Sequence, residues 1–373
     1  MVTESKNKIT AKSSKNGKIE FARFAFSVIV MLFHVYQTIG FKKYDYFGQP
    51  TFFLNGWFGV EFFFVVSGFL MAASAFKNQN RQLELGKDTF SFMRKKIMAV
   101  LPCHLIVFTV SFIYLAIVKH VDFLGFVKLF VEAIPNFLLI QRSGLTNRDV
   151  LGLEWYISDM LIAMLILYPF LRKFYNQFSK IVSPVLSLLI VGYLIKTTGA
   201  LNGTLSWSVL VSKTLLRAIA EICAGVFVFE VCRNLKELKF SKRDKIVLTV
   251  IEVFSYVMVI GFIAGNYPKS YAGTVLIFAC VAICLSFSDI TYGKSVFNNR
   301  VVYYLGSLSL PLYLCHSIMR TYAGFLFREK QLGFGGTVVV FLVVSFAYAI
   351  VTSFIAKALG KAINKKIVKL TNN

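Results

Sequence analysis

Two ionisable side chains interrupt an apolar run near the start of the chain, ARFAFSVIVMLFHVYQ over residues 22–37: Arg23 and His34. Imidazole is suited to general-base work near neutral pH, and guanidinium is a fork for phosphate or carboxylate. Eleven residues separate the two. On a helix that is about 16 Å and close to three whole turns, so both leave one helix face. Each also has an ordinary explanation. Arg23 can be a basic anchor at a membrane surface, and His34 an interhelical hydrogen bond. Inside a membrane span, however, ionisable groups are expensive and mark function. Together they read as two ends of one site, with an anion gripped at Arg23 and a proton moved at His34.

Further candidates follow along the chain. NGWFGVEFFFVVSGFLMA (55–72) carries Glu61 at a depth similar to that of His34. A carboxylate there would fix the imidazole tautomer and stabilise the imidazolium. Ser67, Gly68 and Phe69 form a small-residue notch that admits another helix or a ligand close to the backbone. FMRKKIMAVLP (92–102) holds Arg94, Lys95 and Lys96, either a topology signal or a phosphate clamp on the side of Arg23. LEWYISDMLIAMLILYP (153–169) brings Trp155 and Tyr156, which suit a membrane interface, and Asp159 inside the span. SLSLPLYLCHSIM (307–319) brings a kinking Pro311, Tyr313 and a second intramembrane histidine, His316. The candidate catalytic set is His34 with Glu61 or Asp159, and the candidate acceptor-binding set is Trp155, Tyr156 and His316. Two more acids have local explanations: Glu221 lies four residues after Arg217, and Glu252 lies one turn past a basic loop with Lys242 and Lys245 as partners.

These residues must be positioned by membrane helices. The chain has 373 residues, 57% hydrophobic and 16% charged, where a soluble domain carries about 25% charged residues. Spanning-length apolar runs cover 19–40, 56–76, 97–118, 152–171, 181–197, 212–232, 246–265, 272–290, 302–325 and 335–356. A weaker run, 125–140, holds Lys128, Glu132, Pro135 and Asn136. Basic clusters at 6–18, 77–96, 172–180, 233–245 and 357–369 all fall on the cytoplasmic side only if 125–140 is re-entrant or interfacial. The expectation is an all-α polytopic bundle of about ten spans in the plasma membrane, with both termini cytoplasmic. Residues 1–18 read as a disordered basic tail, 19–356 as the membrane domain and 357–373 as a second basic tail. This places the basic groups in an inner layer and the imidazoles and carboxylates in an outer one.

The net charge of +23 is the positive-inside pattern of short clusters between spans, not a nucleic-acid surface. Six cysteines lie in or beside apolar segments without a CxxC. They read as buried packers, and no metal site is expected.

At this point the chain resembles the acyltransferase-3 family of membrane acyltransferases, over nearly its whole length after residue 18. The resemblance is carried by Arg23 and His34 at their eleven-residue spacing, GWFGVEFFFVVSGFL, the basic run before Leu101-Pro102, WYIS at 155–158 and LYLCH in the penultimate span. It implies ten helices, acyl-CoA donated from the cytoplasm as co-substrate with acetyl the default group, and no tightly bound cofactor. It further implies an envelope saccharide or lipid-linked acceptor on the outer side. Arg23 and His34 match the family's essential arginine and histidine, and Ser67-Gly68-Phe69 its SGF motif. Two departures stand out. Ala99 occupies the place of a second arginine after Lys96, leaving Arg94 or Lys95 to substitute. WYISDMLIAM replaces a family sequence with paired acids, leaving Asp159 as a partial replacement. The alternative is a proton-coupled secondary transporter, which buried His, Glu and Asp would also suit; the chain lacks the internal repeat common to that class.

Overall fold

The computed structural model describes residues 16–39, 53–145, 152, 155–202, 207–208, 211–328 and 330–371. Among them the chain is helical apart from turns and a two-residue antiparallel ribbon, Trp207–Ser208 against Val211–Ser212. The helices are α1 (Gly17–Ile39), α2 (Gly59–Lys77), α3 (Leu85–Val118), α4 (Phe123–Phe137), α5 (Trp155–Lys173) and α6 (Ser183–Thr198). After the ribbon come α7 (Lys213–Glu237), α8 (Lys242–Ala264), α9 (Ala272–Ser288), α10 (Arg300–Arg328) and α11 (Phe334–Thr371).

Local chemistry sets several helix starts. Asn16 accepts from the Ile19 amide at 3.2 Å and opens α1. Ser212 accepts from Leu215 N and opens α7. Ser241 and Asp244 form a reciprocal capping box at α8. A wide π-turn over Phe178–Val182 leads into α6. The start of α1 corrects the expected tail boundary, because Lys18 belongs to the helix. It pairs with Glu252 of α8 at 2.7 Å, displacing the partners expected for that acid, Lys242 and Lys245. Residues 1–15 lie outside the described residues. At the other end, α11 continues as helix through the stretch expected to be a tail.

Among the described residues, nine helices are long and apolar enough to cross a membrane. The chain is a multi-pass membrane protein. The tenth expected span is α7, whose 25 residues reach about 37 Å. Arg217, Glu221, Glu230 and Arg233 dilute its hydropathy. It can carry them because α2, α5, α6 and α9 pack around it, and Arg217, Glu221 and Glu230 are buried and paired. By contrast α4 has 15 residues, about 22 Å, too short for a core of about 30 Å. It packs on α3, with His104 Nε2 3.0 Å from the Phe137 carbonyl, and leaves Phe123 and Leu124 exposed. It is not a spanning helix, in keeping with the re-entrant or interfacial segment expected at 125–140.

Helix α2 divides the core. One cluster, with Met31, Phe64, Tyr156, Tyr313 and Leu314, fills the space among α1, α2, α5 and α10. The other, with Phe26, Phe62, Phe69, Val259 and Ile283, lies among α1, α2, α8 and α9. The closest approach is between α2 and α7. A Cβ on Gly68 would stand 2.0 Å from the Ile222 carbonyl oxygen, and one on Gly225 would stand 2.0 Å from that of Val65. These two glycines let the backbones touch.

Candidate active site

Helices α1 and α10 are packed along their length, and this places His34 against His316. The ring centroids are 5.0 Å apart at 42°. The Nδ1 of His34 lies 2.8 Å from the Val30 carbonyl one turn earlier. A carbonyl only accepts, so Nδ1 carries the proton and Nε2 keeps its lone pair. His316 repeats the arrangement, with Nδ1 2.5 Å from the Tyr313 carbonyl. Its Nε2 is buried with no hydrogen-bond partner among the described residues. The two helices therefore present two imidazoles, each held by its backbone with Nε2 in the proton-accepting form.

Aromatic and hydroxyl groups continue the strip. Tyr313 meets His316 edge-on at 5.6 Å and Tyr156 at 5.5 Å. The Tyr156 hydroxyl lies 3.4 Å from Ser67 Oγ. Helices α1, α2, α5 and α10 thus contribute His34, Ser67, Tyr156, Tyr313 and His316 to one connected row. Arg23 sits at the other end of α1, bonded to Glu20 at 3.2 Å and about a third exposed. Tyr156 and Lys96 both lie within Coulombic reach of it. Arg94 and Lys95 are exposed, whereas Lys96 is partly buried with its ammonium 5.4 Å from the Phe92 ring. Of the basic run, Lys96 is the member whose charge reaches Arg23.

Glu61 does not join His34. It is fully buried and bonds to Arg217 of α7 through Nε at 2.8 Å and through Nη2. Arg217 also reaches Glu221 at 3.3 Å, the local pair expected from their spacing. The rings of Trp57 and Trp155 lie 5.6 and 5.4 Å from the guanidinium. A buried guanidinium with fork geometry outcompetes a neutral imidazole for a carboxylate. Depth alone had matched Glu61 to His34, but depth carries no information about which way the side chain turns. Trp155 is therefore a wall of this ion cluster as well as a neighbour of Tyr156.

The SGF motif divides in the same way. Ser67 faces Tyr156. Gly68 is filled by the α7 backbone, so of the two expected occupants of the notch, a helix or a ligand, it is the helix that takes it. Phe69 stacks on Phe287 at 3.9 Å, in the second core cluster. Asp159 is fully buried on α5, one turn after Tyr156.

Sequence reasoning missed Arg217 as the partner of Glu61, because the pair is 156 residues apart. It also missed His104, a further buried histidine. The signal for both was present: Arg217 and His104 are ionisable groups inside spanning runs, where such groups need partners.

A family profile described as an acyltransferase domain matches residues 16–357. No curated protein and no solved structure matches the chain.

Proposed function

Belonging to the acyltransferase-3 family, the chain is a membrane acyltransferase, and we propose that it transfers an acyl group, acetyl by default, from cytoplasmic acyl-CoA to a hydroxyl of an envelope saccharide. In this reading the N-terminal end of α1 faces the cytoplasm in the plasma membrane, and both termini lie on that side. The basic clusters support this sidedness. Arg23 and Lys96 hold the donor's phosphates. The pantetheine arm runs along the strip of Ser67, Tyr156 and Tyr313 toward His34. The acceptor approaches from the opposite side, where His316 and the aromatic groups orient it. The acceptor and the lipid bilayer are the partners, and acyl-CoA is a co-substrate.

The observation that carries the reading is the 2.8 Å contact of His34 Nδ1 with the Val30 carbonyl, which sets the tautomer. With Nδ1 tied to Val30, Nε2 accepts the proton of the acceptor hydroxyl as its oxygen bonds to the thioester carbonyl carbon. The carbon–sulfur bond then breaks, and the imidazolium returns its proton to the departing thiolate. His316, also with its Nε2 unprotonated, accepts a hydrogen bond from the acceptor and keeps the hydroxyl turned toward His34. No carboxylate is needed to set the tautomer, because the helix backbone sets it.

The test incubates the purified protein in lipid nanodiscs with labelled acetyl-CoA and envelope glycan fractions. Ester-linked label is expected in a glycan and lost by 10²–10⁴-fold in His34→Gln. Wild-type transfer by His34→Gln overturns the mechanism. Proton-coupled flux without acyl-CoA overturns the activity.

A further inference from the structure

One turn beyond each histidine, toward the outer ends of α1 and α10 in the sidedness proposed above, lies a cavity of about 490 Å³. Gln37, Thr38, Arg320, Thr321 and Arg328 line it. Thr38 follows His34 by four residues and Arg320 follows His316 by four, about 6 Å along each axis. Thr38 donates its hydroxyl to the His34 carbonyl at 2.9 Å, which ties the cavity wall to the base.

The two arginines differ: Arg328 is exposed, and Arg320 is the one that needs an explanation. Arg320 is half-buried, and among the described residues it has neither an acidic partner nor a hydrogen bond. Its charge reaches both histidines. Arg328 bonds to the Thr38 carbonyl at 3.4 Å, the long end of the range. Elsewhere in the bundle the buried arginines are paired: Arg217 with Glu61 and Glu221, Arg172 with Asp88. Topology does not explain them either, since basic residues are depleted on the outer side of membrane proteins. Two guanidiniums lining one cavity, neither with a counter-ion among the described residues, make a site for an anion supplied by a ligand.

We propose that this cavity is the acceptor's anion subsite: Arg320, with Arg328 beside it, takes the carboxylate or phosphate of an acidic glycan and so presents a nearby hydroxyl to His34. The proposal rests on the acyltransferase reading and adds the substrate class. The offset of one helical turn is about the span of one sugar ring, so the acidic group and the acylated hydroxyl belong to the same or adjacent residues of the polymer. Fixing the charge fixes which hydroxyl reaches the base, which makes Arg320 a specificity-determining residue.

The test measures binding of three probes to the full chain in nanodiscs: a hexagalacturonate, an oligo(glycerol phosphate) and a neutral maltohexaose. At least one acidic probe should bind about tenfold or more tighter than the neutral one, with affinity falling as salt rises. The acidic probe that wins identifies carboxylate or phosphodiester as the natural group. Arg320→Gln should abolish that preference and Arg320→Lys retain part of it. Equal binding of all three probes to the wild type overturns the proposal without any variant needing to fold. Retained preference in Arg320→Gln, or displacement of the acidic probe by CoA, removes Arg320 from an acceptor subsite. CoA binding is measured in parallel. Its absence in the wild type refutes the acyltransferase reading itself, and its presence with no charge preference refutes only this inference.

Discussion

The pairing of Glu61 with Arg217 can be tested by a reversal of sign. Arg217 is 3% exposed and both its acids are 0% exposed, so no water replaces the guanidinium when it is removed. Arg217→Met should therefore destabilise the fold by about 3–5 kcal/mol, the range for orphaning a buried charge. Loss of the Trp57 and Trp155 contacts adds about 1 kcal/mol each. Glu61→Gln in the wild type removes one of two anions from Arg217 and should cost about 1–2 kcal/mol. In the Arg217→Met background the same change removes one of two orphaned carboxylates, so it should stabilise. In a His34→Ala background it should act as it does in the wild type, because the two residues do not share a partner. Two of the three tryptophans flank the cluster, so thermal unfolding followed by intrinsic fluorescence in detergent reads it directly. Equal destabilisation by Glu61→Gln in the wild-type and Arg217→Met backgrounds would refute the pairing. Non-additivity with His34→Ala alone would restore Glu61 to the histidine.

Other tests bear on packing and on the donor end. A Cβ on Gly68 stands 2.0 Å from the Ile222 oxygen, so Gly68→Ala must part α2 from α7 and should cost about 2 kcal/mol or more; an unchanged melting temperature would mean these backbones are not in contact. Lys96→Gln should raise the KM for acyl-CoA about tenfold with little change in kcat, while Arg94→Gln and Lys95→Gln, at exposed positions, should change it less than twofold. Lys18→Met leaves Glu252, 5% exposed, without its cation and should destabilise by about 3 kcal/mol. A second change, Glu252→Gln, should restore most of that, and additive losses would show that Lys18 is not the partner.

What the sequence made legible was set by one-dimensional physics. Apolar length and basic clusters located the spans and excluded 125–140 as one, because both signals are local to a segment. The R-x10-H spacing placed Arg23 and His34 on one face, because α1 is unbroken between them. Partner choice was another matter. Glu61, Glu252 and His34 all found their partners on helices chosen by the packing of the bundle, across 156, 234 and 282 residues of chain. The low hydropathy of α7 has a related reason. A helix enclosed by other helices is solvated by protein, so its charges report on neighbours and not on exposure to lipid. The same reasoning explains why Gly68 and Phe69 left the site. A motif read as one unit presents its residues about 100° apart on a helix, so three consecutive positions meet three different surroundings. Only Ser67 turns toward Tyr156. In a membrane bundle a short motif therefore identifies a helix, and the direction of each side chain decides which of its residues can take part in chemistry.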